Sequence, residues 1–336
     1  MPEPKSTDSP IEASSEDRFE RAVLAHDFAG SIRYLDASNG VVVGVLGPWG
    51  HGKSSFINLM REQFAAEPTI SVIDFNPWMF SGTEQLVDHF FAELASQFKE
   101  LQDDRLTKAA GLLEKYGDSI GSVAGNFGFW GGLFNGGLAL ARSGARRRVR
   151  KFGSAGARRE LVAAKLAALD QPVVVVIDDL DRLTTAEIRE IFKLVRLTAS
   201  FPNIVYLLAF DRNQVEAALE ETSVPGREYL EKIIQVSYDL PAVPDQMLQT
   251  ELLRELDLLV DGIDGLRFNE MRWWDIFVEV VRPLVGNMRD IVRYVLSAKA
   301  TMTALASDID VADLFAMEAV RVLRPELFLQ LRNMKL

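Results

Sequence analysis

The feature that most restricts the fold of this sequence is a glycine-rich loop with one lysine and two consecutive serines. Its members are Gly47, Pro48, Trp49, Gly50, His51, Gly52, Lys53, Ser54 and Ser55. A β-branched apolar run, 41–46, comes before the loop, and an amphipathic segment, 56–64, follows it. Glycines in such a loop let backbone N–H groups close around an anion at the positive end of the next helix. The order of strand, loop and helix therefore predicts a phosphate-binding turn.

Two side chains of the loop add the chemistry of a nucleotide site. Lys53 stands where a lysine reaches the β- and γ-phosphates, and Ser54 stands where a hydroxyl binds Mg²⁺. The alternative is a glycine-rich turn that only begins a helix. The strand before the loop and the helix after it favour the nucleotide site.

Apolar runs alternate with helical patterns through the first two thirds of the chain. Runs typical of buried strands are 41–46, 70–75, 173–177, 204–210 and 233–240. Segments with apolar residues at helical spacing are 18–35, 56–64, 87–101 and 187–197. This alternation predicts an α/β fold, in which a parallel sheet is covered by helices on both faces.

The same patterns predict the domain organisation. Residues 1–17 are polar and acidic, which is typical of a flexible tail. Residues 18–244 carry the strands and form the predicted nucleotide-binding core. After Pro244 the strand patterns stop, so residues 245–336 are predicted to form a helical domain.

Paired acids follow the third strand, in the run Ile177-Asp178-Asp179-Leu180-Asp181-Arg182. A carboxylate at this edge of the sheet can hold Mg²⁺, and we assign that role to Asp178. Asp179 would face the γ-phosphate and orient or deprotonate the attacking water. The alternative is that Asp179, Asp181 and Arg182 cap the next helix. Whether Asp181 and Arg182 form a structural pair, an interface element or an arginine finger stays open at this point.

Asp211 and Arg212 end the fourth strand. An acid in that position can reach the attacking water or the γ-phosphate, so Asp211 is a candidate sensor of hydrolysis. Trp78, which follows the second strand, is predicted to be an aromatic residue of the core.

With these motifs, the sequence resembles the KAP family of P-loop NTPases. That family belongs to the additional-strand catalytic-glutamate class, which also contains the AAA+ and STAND proteins. The resemblance covers roughly residues 18 to 330. It rests on the loop at 47–55, on Phe75-Asn76-Pro77-Trp78, on 177–182, on Ala209-Phe210-Asp211-Arg212, on 228–235 and on Arg289-Asp290-Ile291-Val292-Arg293.

The resemblance implies more than the residues show by themselves. It implies a three-layer P-loop fold with a mostly parallel five-stranded sheet in the order 5-1-4-3-2 and a C-terminal helical lid. It implies ATP and Mg²⁺ as ligands, and an ATPase that acts as a switch or energy-coupling module. A nucleotide-controlled scaffold with little turnover is the alternative. Arg289 matches the arginine of the family's C-terminal motif and would sense the nucleotide; the alternative is a surface charge paired with Asp290.

The long stretch between the two phosphate-site motifs predicts an insert at 102–160. Lys53 and Asp178 are 125 positions apart, far more than a strand–helix–strand unit needs. Residues 119–141 hold 23 consecutive residues without a charge, and 142–159 hold eight Arg and Lys residues and no acid. Many members of the family insert a transmembrane helical pair here, but two spans need about 40 apolar residues. Three alternatives stay open: an interfacial or re-entrant segment at an anionic membrane, a glycine-rich buried loop, or a protein-interaction insert.

Composition limits the class of partner. The formal net charge is −11, which argues against a nucleic-acid-binding coat of Lys and Arg. The absence of cysteine fits a reducing cytoplasm, with a peripheral position at the inner face of the membrane if the insert binds lipid. The resemblance further implies homo-oligomers, a protein partner or effector that the residues do not identify, and antiviral defence by phage exclusion in bacteria.

Overall fold

The structure, a computed structural model, contains one parallel five-stranded sheet. It describes residues 9–66, 70–80, 83–101, 103–124, 145–198, 200–220, 225–261, 267–305 and 308–334. The strands are β1 (Val41–Leu46), β2 (Ser71–Phe75), β3 (Val173–Ile177), β4 (Ile204–Phe210) and β5 (Val236–Asp239). Their order is β2-β3-β4-β1-β5, and every neighbouring pair is parallel. This is the predicted order 5-1-4-3-2 counted from the other edge, so the predicted α/β P-loop fold is confirmed.

The central strands β1, β3 and β4 are buried along their whole length, as their unbroken apolar runs predict. Successive side chains of a strand point to opposite faces of a sheet. Val173, Val175 and Ile177 accordingly belong to one core cluster, whereas Val174 and Val176 belong to the other. The sheet is therefore the middle of three layers.

Helices cover both faces of the sheet. On one face lie α1 (Arg21–Ile32) and α2 (Lys53–Ala66). On the other face lie α3 (Thr83–Glu100), α4 (Asp104–Ala124), α5 (Ala145–Leu166), α6 (Thr185–Thr198), α7 (Arg212–Leu219) and α8 (Gly226–Glu231). Strand β5 is shorter than the predicted 233–240, because Ile233 closes the turn after α8 and buries its side chain there.

The described part of the predicted insert packs as an ordinary layer of the core. Helix α4 lies between α3 and α5, and it buries Leu106, Leu113 and Tyr116 in the same cluster as Val162 and Leu166 of α5. The predicted apolar segment 119–141 lies mostly outside the described residues, which stop at 124 and resume at 145. Within the described ranges, every helix falls short of the combined length and apolar character that a membrane span needs.

The C-terminal part is a separate helical layer with its own core. Its helices are α9 (Asp245–Val260), α10 (Glu270–Ile276), α11 (Met288–Leu305), α12 (Val311–Leu323) and α13 (Pro325–Asn333). Helix α10 continues through a π-helical turn at Phe277–Val281 and a last turn at Arg282–Leu284. Trp273, Phe277, Tyr294 and Phe315 fill the centre of this layer, and the Tyr294 hydroxyl donates to the Phe315 carbonyl at 3.0 Å. We call residues 245–334 the lid.

Part of the predicted flexible tail makes specific contacts with α2. We call residues 9–19 the N-terminal strap; residues 1–8 lie outside the described ranges. The Asn58 side chain donates to the Ile11 carbonyl at 2.8 Å. Ser14 donates to the Glu62 carboxylate through its backbone N–H at 2.8 Å and its hydroxyl at 2.9 Å. These hydrogen bonds fix the strap along the helix that begins at the glycine-rich loop.

The other end of the strap is attached to the lid. The Arg18 guanidinium forms ion pairs with Glu251 and Glu255 of α9, the second at 2.9 Å. The Phe19 ring packs against the lid core. The strap therefore connects α2 to α9 across the edge of the sheet where the glycine-rich loop lies.

Candidate functional site

The glycine-rich loop joins β1 to α2 with two glycines in left-handed conformations. The φ angles are 83° at Gly50 and 81° at Gly52, values that only glycine adopts without strain. Space is short at both positions. A Cβ atom at Gly50 would lie 3.1 Å from the Asn287 side-chain oxygen, and one at Gly52 would lie 2.9 Å from the Arg21 guanidinium. Both glycines are therefore required for conformation and for room.

The lysine of the loop lies buried inside the turn. Lys53 Nζ donates to the carbonyl of Gly47 at 2.9 Å and to that of Pro48 at 3.3 Å. It also pairs with the carboxylate of Asp181 at 2.6 Å. The ammonium thus lies at the centre of the loop, at the N-terminal end of α2, where an anion would be bound.

Asp178 lies beside Ser54 in the position expected of a pair of Mg²⁺ ligands. The Ser54 hydroxyl donates to the Asp178 carboxylate. Burial raises the pKa of Asp178 above its ordinary value, and the hydrogen bonds from Ser54 and from the Asp179 N–H oppose part of that rise. A buried carboxylate next to a hydroxyl fits a hard cation that takes oxygen ligands. These two residues therefore fit Mg²⁺ held jointly with a nucleotide.

Asp179 comes before the turn Leu180–Arg182 and pairs with the arginine of that turn. Its φ angle of 58° places it in the left-handed region, which Asp tolerates better than most residues. Its carboxylate pairs with Arg182 Nε at 2.8 Å, and the Arg182 guanidinium lies 5.5 Å from the centre of the Trp78 ring. The Trp78 side chain is 56% exposed, so the prediction that it belongs to the core is wrong. It is exposed because the turn Pro77–Met79 carries it to the rim of the site.

Asp211 serves as the N-cap of α7. Its carboxylate accepts the backbone N–H of Asn213 at 2.9 Å and that of Gln214 at 3.4 Å. Its own backbone N–H donates to the Asp181 carboxylate at 2.6 Å. Asp211 therefore contacts the site through Asp181.

A buried arginine, Arg21, forms a hydrogen bond with the backbone of the glycine-rich loop. The Arg21 guanidinium donates to the carbonyl of His51 and, at 2.6 Å, to that of Pro241, where the chain leaves the sheet for the lid. Burial lowers the pKa of Arg21. Burial, with Arg21 and Lys53 nearby, also lowers the pKa of His51. The loop and the start of the lid are therefore held by one side chain, beside a histidine that is uncharged at neutral pH.

The lid contacts the loop from the opposite side. The Arg289 guanidinium carbon lies 3.9 Å from the centre of the Trp49 ring, and Asn287 lies against Gly50. The turn that presents them is fixed locally, since the Asp290 carboxylate accepts the Gly286 N–H at 3.0 Å. Arg289 therefore lies at the glycine-rich loop, and its predicted role as a nucleotide sensor stays a prediction.

Loop, acids, strap and lid enclose one cavity of about 680 Å³, a volume typical of small-molecule sites. Its lining combines the loop and the acids Asp178, Asp179 and Asp181 with apolar side chains of the strap, the linker and the lid: Ile11, Phe19, Val243, Leu259, Val292 and Val295. A lining with both charged and apolar side chains suits a phosphorylated ligand that also has an apolar part.

The loop, Asp178, Asp179 and Arg289 line this cavity. Asp211 is joined to the site through its hydrogen bond to Asp181. Sequence reasoning missed three contributions: the Lys53–Asp181 pair, Arg21 and the strap. The acid at 181 was visible in its motif, but its partner was not. Arg21 lies 220 positions before Pro241, and the pattern of α1 around it marks only a helix.

Comparison with known sequences finds a family match over most of the chain. The profile described as "KAP family P-loop domain" matches residues 21–303. The "Phage T7 exclusion protein" of Escherichia coli (strain K12) is 28% identical over 286 residues, which cover 78% of this chain and 38% of that protein. This chain thus spans less than half the length of that relative.

Similarity to solved structures is remote. The Aeropyrum pernix ORC2 protein matches with a TM-score of 0.45 at 14% identity, over 98% of this chain and 73% of that one. Cdc6p of Pyrobaculum aerophilum matches with a TM-score of 0.44 at 13% identity, over 89% of this chain and 65% of that one. The assignment rests instead on the family profile, which spans most of the sequence. The chain belongs to the KAP family of P-loop NTPases.

Proposed function

We propose that this chain binds ATP together with Mg²⁺ and hydrolyses it, acting as a switch or energy-coupling module. The observation that carries the proposal is the meeting of three groups at one cavity. Lys53 lies inside the loop, Ser54 and Asp178 lie side by side, and Arg289 approaches from the lid.

Each residue of the site has its own proposed role in binding or hydrolysis. The loop N–H groups and Lys53 would bind the β- and γ-phosphates, and Ser54 with Asp178 would hold Mg²⁺. Bound Mg²⁺ would neutralise part of the charge on the phosphate oxygens. Asp179 would accept a proton from the attacking water once its carboxylate leaves Arg182. Arg289 would leave the Trp49 ring to contact the phosphates.

The test is ATP binding and phosphate release by the wild type, Lys53→Met and Asp179→Asn. Asn also tolerates the left-handed backbone at position 179, so this variant removes the carboxylate without straining the backbone. We expect Lys53→Met to lose ATP binding, and Asp179→Asn to keep binding while turnover falls about a hundredfold or more. Asp170→Asn is the control, since Asp170 pairs with Arg105 at the surface.

The second candidate is a nucleotide-controlled scaffold. The ion pair between Asp179 and Arg182 favours this candidate, because the carboxylate proposed as the general base is already bound to an arginine. ATP binding with negligible phosphate release in both the wild type and Asp179→Asn would contradict the enzyme and support the scaffold. Light scattering with and without ATP would then show whether homo-oligomers form.

A role in phage exclusion is proposed from the similarity to the Phage T7 exclusion protein, which is 28% identical over 286 residues. The test is plaque formation on bacteria that express the chain, with Lys53→Met as the inactive control. Equal plaque numbers for the wild type and the control would contradict this role.

Membrane association through 119–159, on the cytoplasmic side, also stays a proposal. Ile120 belongs to this segment and is buried in the core, so deletion of the whole segment would damage the fold. A cleaner variant replaces 125–144 with a short Gly-Ser linker between α4 and α5. Loss of flotation with anionic liposomes would assign membrane binding to the replaced residues. Absence of flotation in the wild type would remove the membrane role.

A further inference from the structure

The three acids that follow β3 contact three different partners. Asp178 accepts from Ser54 on the metal side, and Asp179 pairs with Arg182 on the outer rim. Asp181 pairs with Lys53, and both side chains are almost inaccessible, at 5% and 8% exposure. The third acid therefore lies closest to the lysine that would bind the phosphates.

Asp181 is also the link between that lysine and the end of β4. One carboxylate oxygen faces Lys53 Nζ at 2.6 Å, and the other accepts the backbone N–H of Asp211 at 2.6 Å. The Gln214 side chain donates to the Asp181 carbonyl at 3.0 Å. Asp211 is the N-cap of α7, so a single carboxylate joins Lys53 to the first turn of that helix.

We propose that Asp181 is a positioning residue that transmits occupancy of the phosphate site from Lys53 to the start of α7. The inference rests on nucleotide binding at Lys53, as proposed above. In the protein without nucleotide, the buried ammonium needs a nearby opposite charge, and Asp181 supplies it. Phosphate oxygens would take over donors of the same ammonium, which has three.

The Asp181 carboxylate then meets a second negative group at close range. Two negative groups that contact the same buried ammonium lie close together, and they repel each other strongly because little water screens them. The carboxylate must shift or change its share of hydrogen bonds, and its nearest other donor is the Asp211 N–H. The consequence is a change in the hydrogen bonds that begin α7, which makes this helix the expected reporter of the nucleotide state.

The experiment is hydrogen exchange with and without Mg²⁺ and a non-hydrolysable ATP analogue, followed in peptides from 53–66 and 211–219. In the wild type we expect slower exchange in 53–66 and altered exchange in 211–219. Asp181→Asn keeps the shape and removes the charge. It should retain the change in 53–66 and lose the change in 211–219. In steady-state assays its kcat should fall about tenfold or more, with KM within about threefold of the wild type.

Asp170→Asn is the matched control, because it removes a carboxylate from a surface ion pair and should behave as the wild type. Protection of 53–66 with no change at 211–219 in the wild type would overturn the coupling and leave nucleotide binding intact. A wild-type response of 211–219 in Asp181→Asn would overturn it as well. No protection of 53–66 and no ATP binding would remove the proposed function, and the coupling with it.

A second variant tests the proposal even if Asp181→Asn does not fold. Gln214→Ala removes an exposed contact to the Asp181 carbonyl and leaves the ion pair unchanged. It should bind the analogue as the wild type does and show a weaker change in 211–219. An undiminished change in that peptide would overturn the proposal.

Discussion

The Arg289 guanidinium carbon lies 3.9 Å from the centre of the Trp49 ring, so the lid contacts the phosphate-binding loop through a cation–π pair. Indole emission responds to a nearby charge. We expect Mg²⁺ and an ATP analogue to change the tryptophan emission as Arg289 moves from the ring to the phosphates. In Trp49→Phe most of this change should disappear, while the analogue still binds; any remainder would come from Trp78, which lies beside Arg182.

Trp273 in the lid core offers the matched comparison. It is 7% exposed and far from the loop in the sequence, so its emission should persist in Trp49→Phe and stay constant on nucleotide addition. A nucleotide-dependent change of equal size in the wild type and in Trp49→Phe would contradict the proposed movement of Arg289.

Metal binding should depend on pH through Asp178, whose pKa is raised mainly by burial. Because the folded-state pKa lies above that of the unfolded chain, this carboxyl stabilises the metal-free fold at low pH. That contribution is lost as the pH rises through the folded pKa. Mg²⁺ binding has the opposite dependence, since it needs the carboxylate. We expect the Mg²⁺ affinity of the complex with an ATP analogue to fall as the pH decreases from neutral, beginning above the ordinary pKa of Asp.

Asp178→Asn provides the control for this titration. Its residual Mg²⁺ affinity should be weak and should vary with pH only as the analogue itself does. The measurement is calorimetric titration of Mg²⁺ at several pH values. An equal pH dependence in both proteins would show that another group is responsible.

Arg21 should matter for stability through its hydrogen bonds to two backbone carbonyls. Arg21→Met fills the space but leaves the His51 and Pro241 carbonyls without this donor. We expect the free energy of unfolding to fall by about 1–3 kcal/mol, as measured by urea denaturation. Arg227→Met is the comparison, because Arg227 pairs with Glu231 on an exposed helix surface and its loss should destabilise the fold less than Arg21→Met does. Equal losses would contradict a special role for Arg21.

Gly226 allows close contact between α7 and α8. A Cβ atom there would lie 1.9 Å from the Glu216 carbonyl oxygen, so the backbone would have to move. We expect Gly226→Ala to destabilise the fold by on the order of 3 kcal/mol. Gly111 in α4 is the matched glycine, with open space around its Cβ position. Gly111→Ala should stabilise by about 0.5–1 kcal/mol, and thermal unfolding would compare the two.

Much of the fold followed from the sequence, because its central strands are unbroken apolar runs that a parallel sheet buries on both faces. The strand order came with the family resemblance. The phosphate loop was predictable because local backbone geometry dictates its residue types.

The acids after β3 were harder to assign. The left-handed residue Asp179 leads into the turn Leu180–Arg182, in which Asp179 pairs with Arg182 and Asp181 pairs with Lys53. Sequence patterns do not encode a left-handed turn at a non-glycine residue. The contact of Arg21 with Pro241 depends on how elements far apart in the sequence pack together. The spacing of apolar residues along the sequence does not predict such a contact.

The N-terminal strap has a practical consequence for work on this protein. Residues 9–19 contain no recognised motif, yet Ile11 and Phe19 form part of the wall around the nucleotide cavity and Arg18 holds the lid. A truncation that begins at residue 20 would keep every motif residue and still open one side of the cavity. Weak nucleotide binding in such a shortened protein would report the missing wall rather than a defect in the motifs.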